Sequence, residues 1–120
     1  MALLVTASLT NNTVSPSETM GVSSLSVTPA GTHEWSGRDN IGTTEETLTI
    51  SADIGTNGYL EVINRDATNF VQIGYTAGVY FAKLLAGYAM VLPLDPSVTL
   101  LKVKADTAAC QLQFKLYESA

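Results

Sequence analysis

At 120 residues the chain has the length of one ordinary domain, enough to bury a core without disulfides or metals. Its residues are 46 % hydrophobic but only 14 % charged, where about a quarter is usual, and that balance suits surfaces in close contact with neighbours. The net charge is −5, and the six Lys and Arg residues are scattered, with only Lys102 and Lys104 on one strand face, so the basic stripe that nucleic-acid binding depends on is missing.

The opening MALLVTASLT has no basic leader and its apolar run, Ala2 to Val5, is too short for an export signal; it is expected to be a strand, Leu3 to Leu9. No segment approaches the roughly 20 apolar residues of a membrane span. Further strands are expected at Ser24 to Thr28, Thr47 to Asp53, Tyr59 to Asn64, Phe70 to Tyr75, Tyr80 to Leu84, Tyr88 to Leu92, Val98 to Ala105 and Ala109 to Glu118, because apolar and polar residues alternate there. Turn-formers separate them: Asn11-Asn12, Pro29-Ala30-Gly31, Asn57-Gly58, Gly74, Gly78, Gly87, Asp95-Pro96 and Asp106-Thr107. Such short intervals, without helical spacing, predict an all-β fold, an antiparallel β-sandwich of jelly-roll type.

Two hairpins are expected within it. In EVINRDATNFVQIGY, residues 61 to 75, Asp66 can turn its carboxylate back onto amides two or three residues on, leaving Val62 and Ile63 to pair with Phe70, Val71 and Ile73. Asp106-Thr107 is expected to join the last two strands in the same way. Cys110, the only cysteine, lies in phase with Leu112, Phe114 and Leu116, which predicts a small buried side chain and a fold that does not depend on oxidation.

The chain is expected to form one domain of two unlike parts. Residues 1 to 46 are a polar, loop-rich arm that contributes one or two strands to the sandwich or reaches a neighbouring subunit, and residues 47 to 120 hold the dense strand core.

Chemistry-bearing clusters are weak. His33, Glu34 and Asp39 in GTHEWSGRDN could meet, but a catalytic zinc site usually draws on more than one His or Cys, so a solvated loop is the expectation and no metal is assigned. Glu45 and Glu46 point to opposite faces of an extended segment and make poor acid–base partners. The glycines of GYTAGVYFAKLLAG fit neither a phosphate loop nor a dinucleotide fingerprint, and the surroundings of the single histidine do not resemble those of a serine hydrolase. No enzyme activity, catalytic residue or cofactor is expected. Trp35 and Arg38, three residues apart, are candidates for an interface anchor, and Tyr75 and Tyr80 raise the same question with Phe81 and Tyr88.

The segments GYLEVINRDATNFVQIGY, KLLAGYAMVLPL and LLKVKADTAACQLQFKLYE, within residues 58 to 118, resemble a group of small tailed-bacteriophage virion proteins. The shared features are a strand ending in Asn, an Asp-x-Thr-Asn turn, an aromatic-Val-x-Ile-Gly strand, a Lys-Leu-x-x-Gly step and a late Ala-Asp-Thr turn. Residues 1 to 46 carry no part of the resemblance. It implies a β-sandwich structural protein, of the capsid decoration or cement type, made in the host cytoplasm and carried on the virion surface against the major capsid protein. A head–tail connector or tail component is the alternative within that class, and a carbohydrate-binding sandwich the alternative outside it. ALLVTASL, with Leu3, Leu4 and Val5, is then a candidate donated strand, and an unpaired strand of that kind predicts a homodimer or trimer without membrane or nucleic-acid contacts.

Overall fold

The computed structural model describes residues 3–11, 18–27 and 31–119, with side chains from residue 31 onward. The described residues are all-β, in ten strands: β1 (Leu3–Asn11), β2 (Glu18–Val27), β3 (Glu34–Ile41), β4 (Glu46–Thr49), β5 (Asn57–Asn64), β6 (Val71–Gly74), β7 (Ala82–Leu84), β8 (Ala89–Pro93), β9 (Leu100–Ala105) and β10 (Cys110–Glu118). β1 and β2 form a two-stranded ribbon of their own. The other eight make two antiparallel four-stranded sheets, ordered β3-β10-β5-β8 and β4-β9-β6-β7.

The inner faces of the two sheets share one apolar core. Alternation along β10 sends Cys110, Leu112, Phe114 and Leu116 inward, as the sequence predicts, and Leu60, Val62, Ile73, Leu101 and Val103 meet them from both sheets, all buried. Each such side chain stabilises the fold by roughly 1.5 to 3 kcal/mol on burial. A side chain at Gly37 would put its Cβ 2.9 Å from the Phe114 ring, so the glycine is what admits that ring beneath edge strand β3. Trp35 then lies against Phe114, the ring centroids 4.4 Å apart.

Within the sandwich only β6 and β7 are neighbours both in sequence and in a sheet; every other connection passes from one sheet to the other. This corrects both expected hairpins. Val62 and Ile63 pair with Met90 and Ala89 of β8, while Val71 and Ile73 pair with β7 and β9. β9 and β10 likewise belong to different sheets. The Asp66 turn itself forms as expected, the carboxylate accepting from Thr68 N at 3.0 Å and Asn69 N at 2.6 Å, but it carries the chain around a corner. In a sandwich, alternation is satisfied equally by a neighbour in the same sheet and by a neighbour across the core, so period two fixes which residues point inward and leaves the pairing partner open.

β3 is a strand where the sequence predicts a loop. Its residues EWSGRDNI are polar because it is an edge strand, paired only with β10, and only Ile41 on it is fully buried. Residues 34 to 46 of the polar arm thus supply β3 and the first residue of β4. Asn57 and Gly58, expected as a turn, begin β5 instead, and the Asn57 amide donates to the carbonyls of Asp95 at 2.9 Å and Val98 at 2.7 Å.

Candidate functional site

Three polar side chains placed where strands end hold the loops of the sandwich in position. Glu118 occupies the inward phase of β10 after Leu116 and is 6 % exposed. Its carboxylate accepts hydrogen bonds from Gly55 N at 2.5 Å, Thr32 N at 3.0 Å and His33 N at 3.4 Å, and His33 Nδ1 lies 3.1 Å from Oε1. The Gly55 amide, helped by the His33 ring and the amides of His33 and Thr32, holds the carboxyl down to about 2, against the opposing effect of burial. Every partner is a donor from the surrounding loops, which makes the group a clasp between β10, the entry to β3 and the loop before β5.

Asn64 does the corresponding work at the opposite end of β5. It is fully buried, its amide donating to Asn69 O at 2.9 Å and Leu84 O at 3.0 Å, and its side-chain oxygen accepting from Asp66 N at 2.9 Å. Its backbone accepts from Gly87 N, at a turn where Gly87 adopts φ 77°. Glu45 ties a third pair of loops together by accepting from Tyr80 OH at 2.6 Å and Gly78 N at 2.7 Å, and the Tyr80 bond is the main reason its carboxyl lies below the usual range.

The three residues of the considered metal cluster do not converge. His33 turns to Glu118, Glu34 stands opposite Tyr117 on β3, and Asp39 stands opposite Leu112. Among the described residues no group of three His, Cys, Asp or Glu side chains is arranged to hold a metal ion. Glu45 and Glu46 also diverge, Glu46 accepting from Gly42 N.

The interface candidates fall in separate places. Trp35 and Arg38 are on edge strand β3, Trp35 half-buried against Phe114 and Arg38 exposed opposite Gln113. Tyr75 is half-buried with its ring 4.8 Å from that of Phe81, and Tyr80 is held by Glu45. Leu3, Leu4 and Val5 belong to β1, whose side chains lie outside the described residues; its backbone pairs with β2 along its length, so β1 is one half of a ribbon and not a lone strand.

Of the large exposed hydrophobics, sequence reasoning singled out Phe81 and Tyr88 and missed the others. Among the described side chains, the exposed large hydrophobics are Val79, Phe81, Leu85, Tyr88 and Val91, with Val79 62 % and Tyr88 58 % exposed. All five fall between residues 79 and 91, the stretch that contains β7 and most of β8, the edge strands of the two sheets on one side of the sandwich. Lys83 is the only charged residue in that stretch, and its Nζ lies 4.0 Å from the centre of the Phe70 ring. Runs such as VYFAKLL and YAMVL read as core strands, and nothing in them signals that they form sheet edges. No family model, curated protein or solved structure matches the chain.

Proposed function

We propose that this chain is a structural protein of a tailed-phage virion, of the capsid decoration type, bound across capsomer junctions where it stabilises the head. The observation that carries this reading is that the large exposed hydrophobic side chains among the described residues all fall within residues 79 to 91. Singly scattered exposed hydrophobics are ordinary, whereas their concentration along two edge strands and the turn between them is what a surface made to contact another macromolecule would show. The strand order, which we read as a jelly roll, adds support by analogy of fold alone, since double-sheet jelly rolls are common among viral capsid and lectin domains. The resemblance of residues 58 to 118 to small phage virion proteins points the same way.

A low-charge subunit repeated by the symmetry of a shell can hold through many weak contacts, because each bound copy is one of a large array. The lectin reading has less support, since two of the rings that would form its stacking platform, Trp35 and Tyr75, lie against Phe114 and Phe81. Copy number per purified virion, measured by quantitative mass spectrometry against the major capsid protein, tests the proposal. Hundreds of copies, in order of magnitude and in a simple ratio to the capsid protein, are expected for a subunit that tiles the shell. About a dozen or fewer would move the chain to the portal or tail, where ring symmetry sets the number. None at all would overturn the virion reading.

A further inference from the structure

We propose that this chain forms a two-fold symmetric homodimer in which edge strand β8 pairs antiparallel with β8 of a second copy, about an axis at Met90, joining two four-stranded sheets into one of eight. The inference starts from the direction in which the backbone of β8 points. β5 and β8 keep one antiparallel register, with Leu60 opposite Leu92 and Val62 opposite Met90, and the bonds from Asn64 N to Tyr88 O and from Leu94 N to Gly58 O flank it in the same phase. Hydrogen-bonded pairs recur at every second position of an antiparallel ladder, so Met90 and Leu92 turn their amides and carbonyls to β5. On the far side of β5, Arg65 N donates to Gln111 O, which assigns the odd-numbered residues of β5 to β10 and agrees with that phase. Ala89 and Val91 therefore turn their backbone groups to the open side, where no described strand meets them. Pro93 offers only a carbonyl there, because proline has no N–H.

This open edge is complementary to itself. With the axis at Met90, Ala89 of each copy stands opposite Val91 of the other, and the N–H groups of both residues donate to the carbonyls of both, four bonds in all. Pro93 then falls past the paired residues, opposite Gly87, where its ring meets no side chain. An axis at Val91 would instead turn the Pro93 ring onto the Ala89 carbonyl in place of a donor. The side chains agree with the axis at Met90. Val91, 45 % exposed, would be covered by Ala89 of the second copy, and Tyr88, 58 % exposed, would lie opposite Leu92.

Charge singles out β8 among the edges of the sandwich. Sheet edges that stay apart are commonly blunted by charged side chains. β3 carries Glu34, Arg38 and Asp39, β4 carries Glu46, and β7 carries Lys83 at its middle, whereas no charged residue occurs from Leu84 to Leu94. The nearest charge to the seam on the outer face is Glu61, which stands beside Val91 and is itself flanked by Lys115. In the dimer the two copies of Glu61 would be three strand spacings apart, about 14 Å, which is beyond the screening length of physiological salt. The net charge of −5 thus puts no repulsion on this edge.

The test uses the full-length chain and does not rest on the virion reading. At the axis Met90 would face itself as a non-hydrogen-bonded pair, with Cα atoms about 4.5 Å apart and within disulfide reach. Met90→Cys under mild oxidation is expected to give a disulfide-linked dimer on a non-reducing gel. Tyr88→Cys, an exposed position about 14 Å from its own counterpart in that register, is expected to stay unlinked. The buried Cys110 is kept in both variants. Equal linking of the two, or none in Met90→Cys, would overturn the pairing. Light scattering over a concentration series supplies the second measurement. Val91→Pro removes an N–H that points away from β5, so it blocks the seam and spares the sheet within the chain. Val91→Lys gains Glu61 as a neighbour within the chain but sets two ammonium groups about 7 Å apart on the diagonal across the seam. Each variant is expected to weaken dimerisation by roughly tenfold or more while keeping the far-UV spectrum of the wild type. A wild-type chain that stays monomeric throughout the series, or variants that associate as tightly as the wild type, would sink the proposal.

Discussion

The sandwich closes its two ends by different chemistry. At one end the ionised Glu118 gathers amide and imidazole donors, and at the other the neutral Asn64 both donates and accepts. Both groups lie in the inward phase of a strand and both hold loops together, yet only one of them carries charge. Burial opposes the ionised form of a carboxyl and its donors favour it, so the Glu118 clasp is itself tuned by acidity and the Asn64 side chain is not.

The largest effect that separates the ends is expected at Asn64. Asn64→Ala removes three side-chain hydrogen bonds in a fully buried position and is expected to cost about 2 to 4 kcal/mol in urea unfolding at neutral pH. A loss well under 1 kcal/mol, by the same scale, would mean that water takes over the work of the amide. Glu118→Gln is expected to destabilise the fold next most strongly, since an amide nitrogen would face the Gly55 or Thr32 N–H in place of an acceptor. Thermal unfolding of that variant at pH 7 checks it, and an unchanged midpoint would show that charge is unnecessary to the clasp.

Acidity gives a cleaner separation. The Glu118 carboxyl lies at about 2 in the fold against 4.5 ordinarily, so its contribution is complete above pH 4.5 and is lost as the pH falls from there towards 2. Glu45, Asp66 and Asp95 are also held low by hydrogen bonds, so the wild type is expected to lose stability throughout that window from several sources. Urea unfolding between pH 6 and 2.5 is expected to show a shallower acid loss in Glu118→Gln than in the wild type, and the wild-type slope in Asn64→Ala. Parallel slopes in all three would remove Glu118 from the acid response. The smallest effect belongs to Gly87, next to the Asn64 end: Gly87→Ala has open space for its methyl group but places it at φ 77°, and is expected to cost about 1 kcal/mol by chemical denaturation.

The sequence makes the class of fold and the inward residues legible, because alternation is a direct consequence of a pleated strand with one buried face. Cys110, Leu112, Phe114 and Leu116 were identifiable on that ground alone. Pairing was not legible, as the corner at Asp66 demonstrates, and β3 escaped because an edge strand with one buried apolar residue has the composition of a loop. The polar clasps were within reach. Glu118 follows Leu116 in the apolar phase of β10, and Asn64 follows Val62 in that of β5; a polar residue in such a phase announces a buried partner set. The carboxylate that meets His33 is 85 residues away from it, whereas the carboxylates nearest in sequence turn elsewhere. The exposure of Val79, Leu85 and Val91 was hidden because edge and interior strands of a sandwich can share one composition.

The place of β10 also bears on how the protein is made. It leaves the ribosome after the other nine strands, yet it lies between β3 and β5 and is the only partner of β3 among the described strands. Until residues 110 to 118 emerge, β3 has nothing to pair with and the floor of the core is missing. The sandwich therefore closes in a late step that joins distant parts of the chain, the kind of topology that folds slowly and leaves strand edges open meanwhile. A ribosome stalled shortly before residue 110 would hold a nascent chain whose β3 is still sensitive to protease, and release of the final strand would protect it.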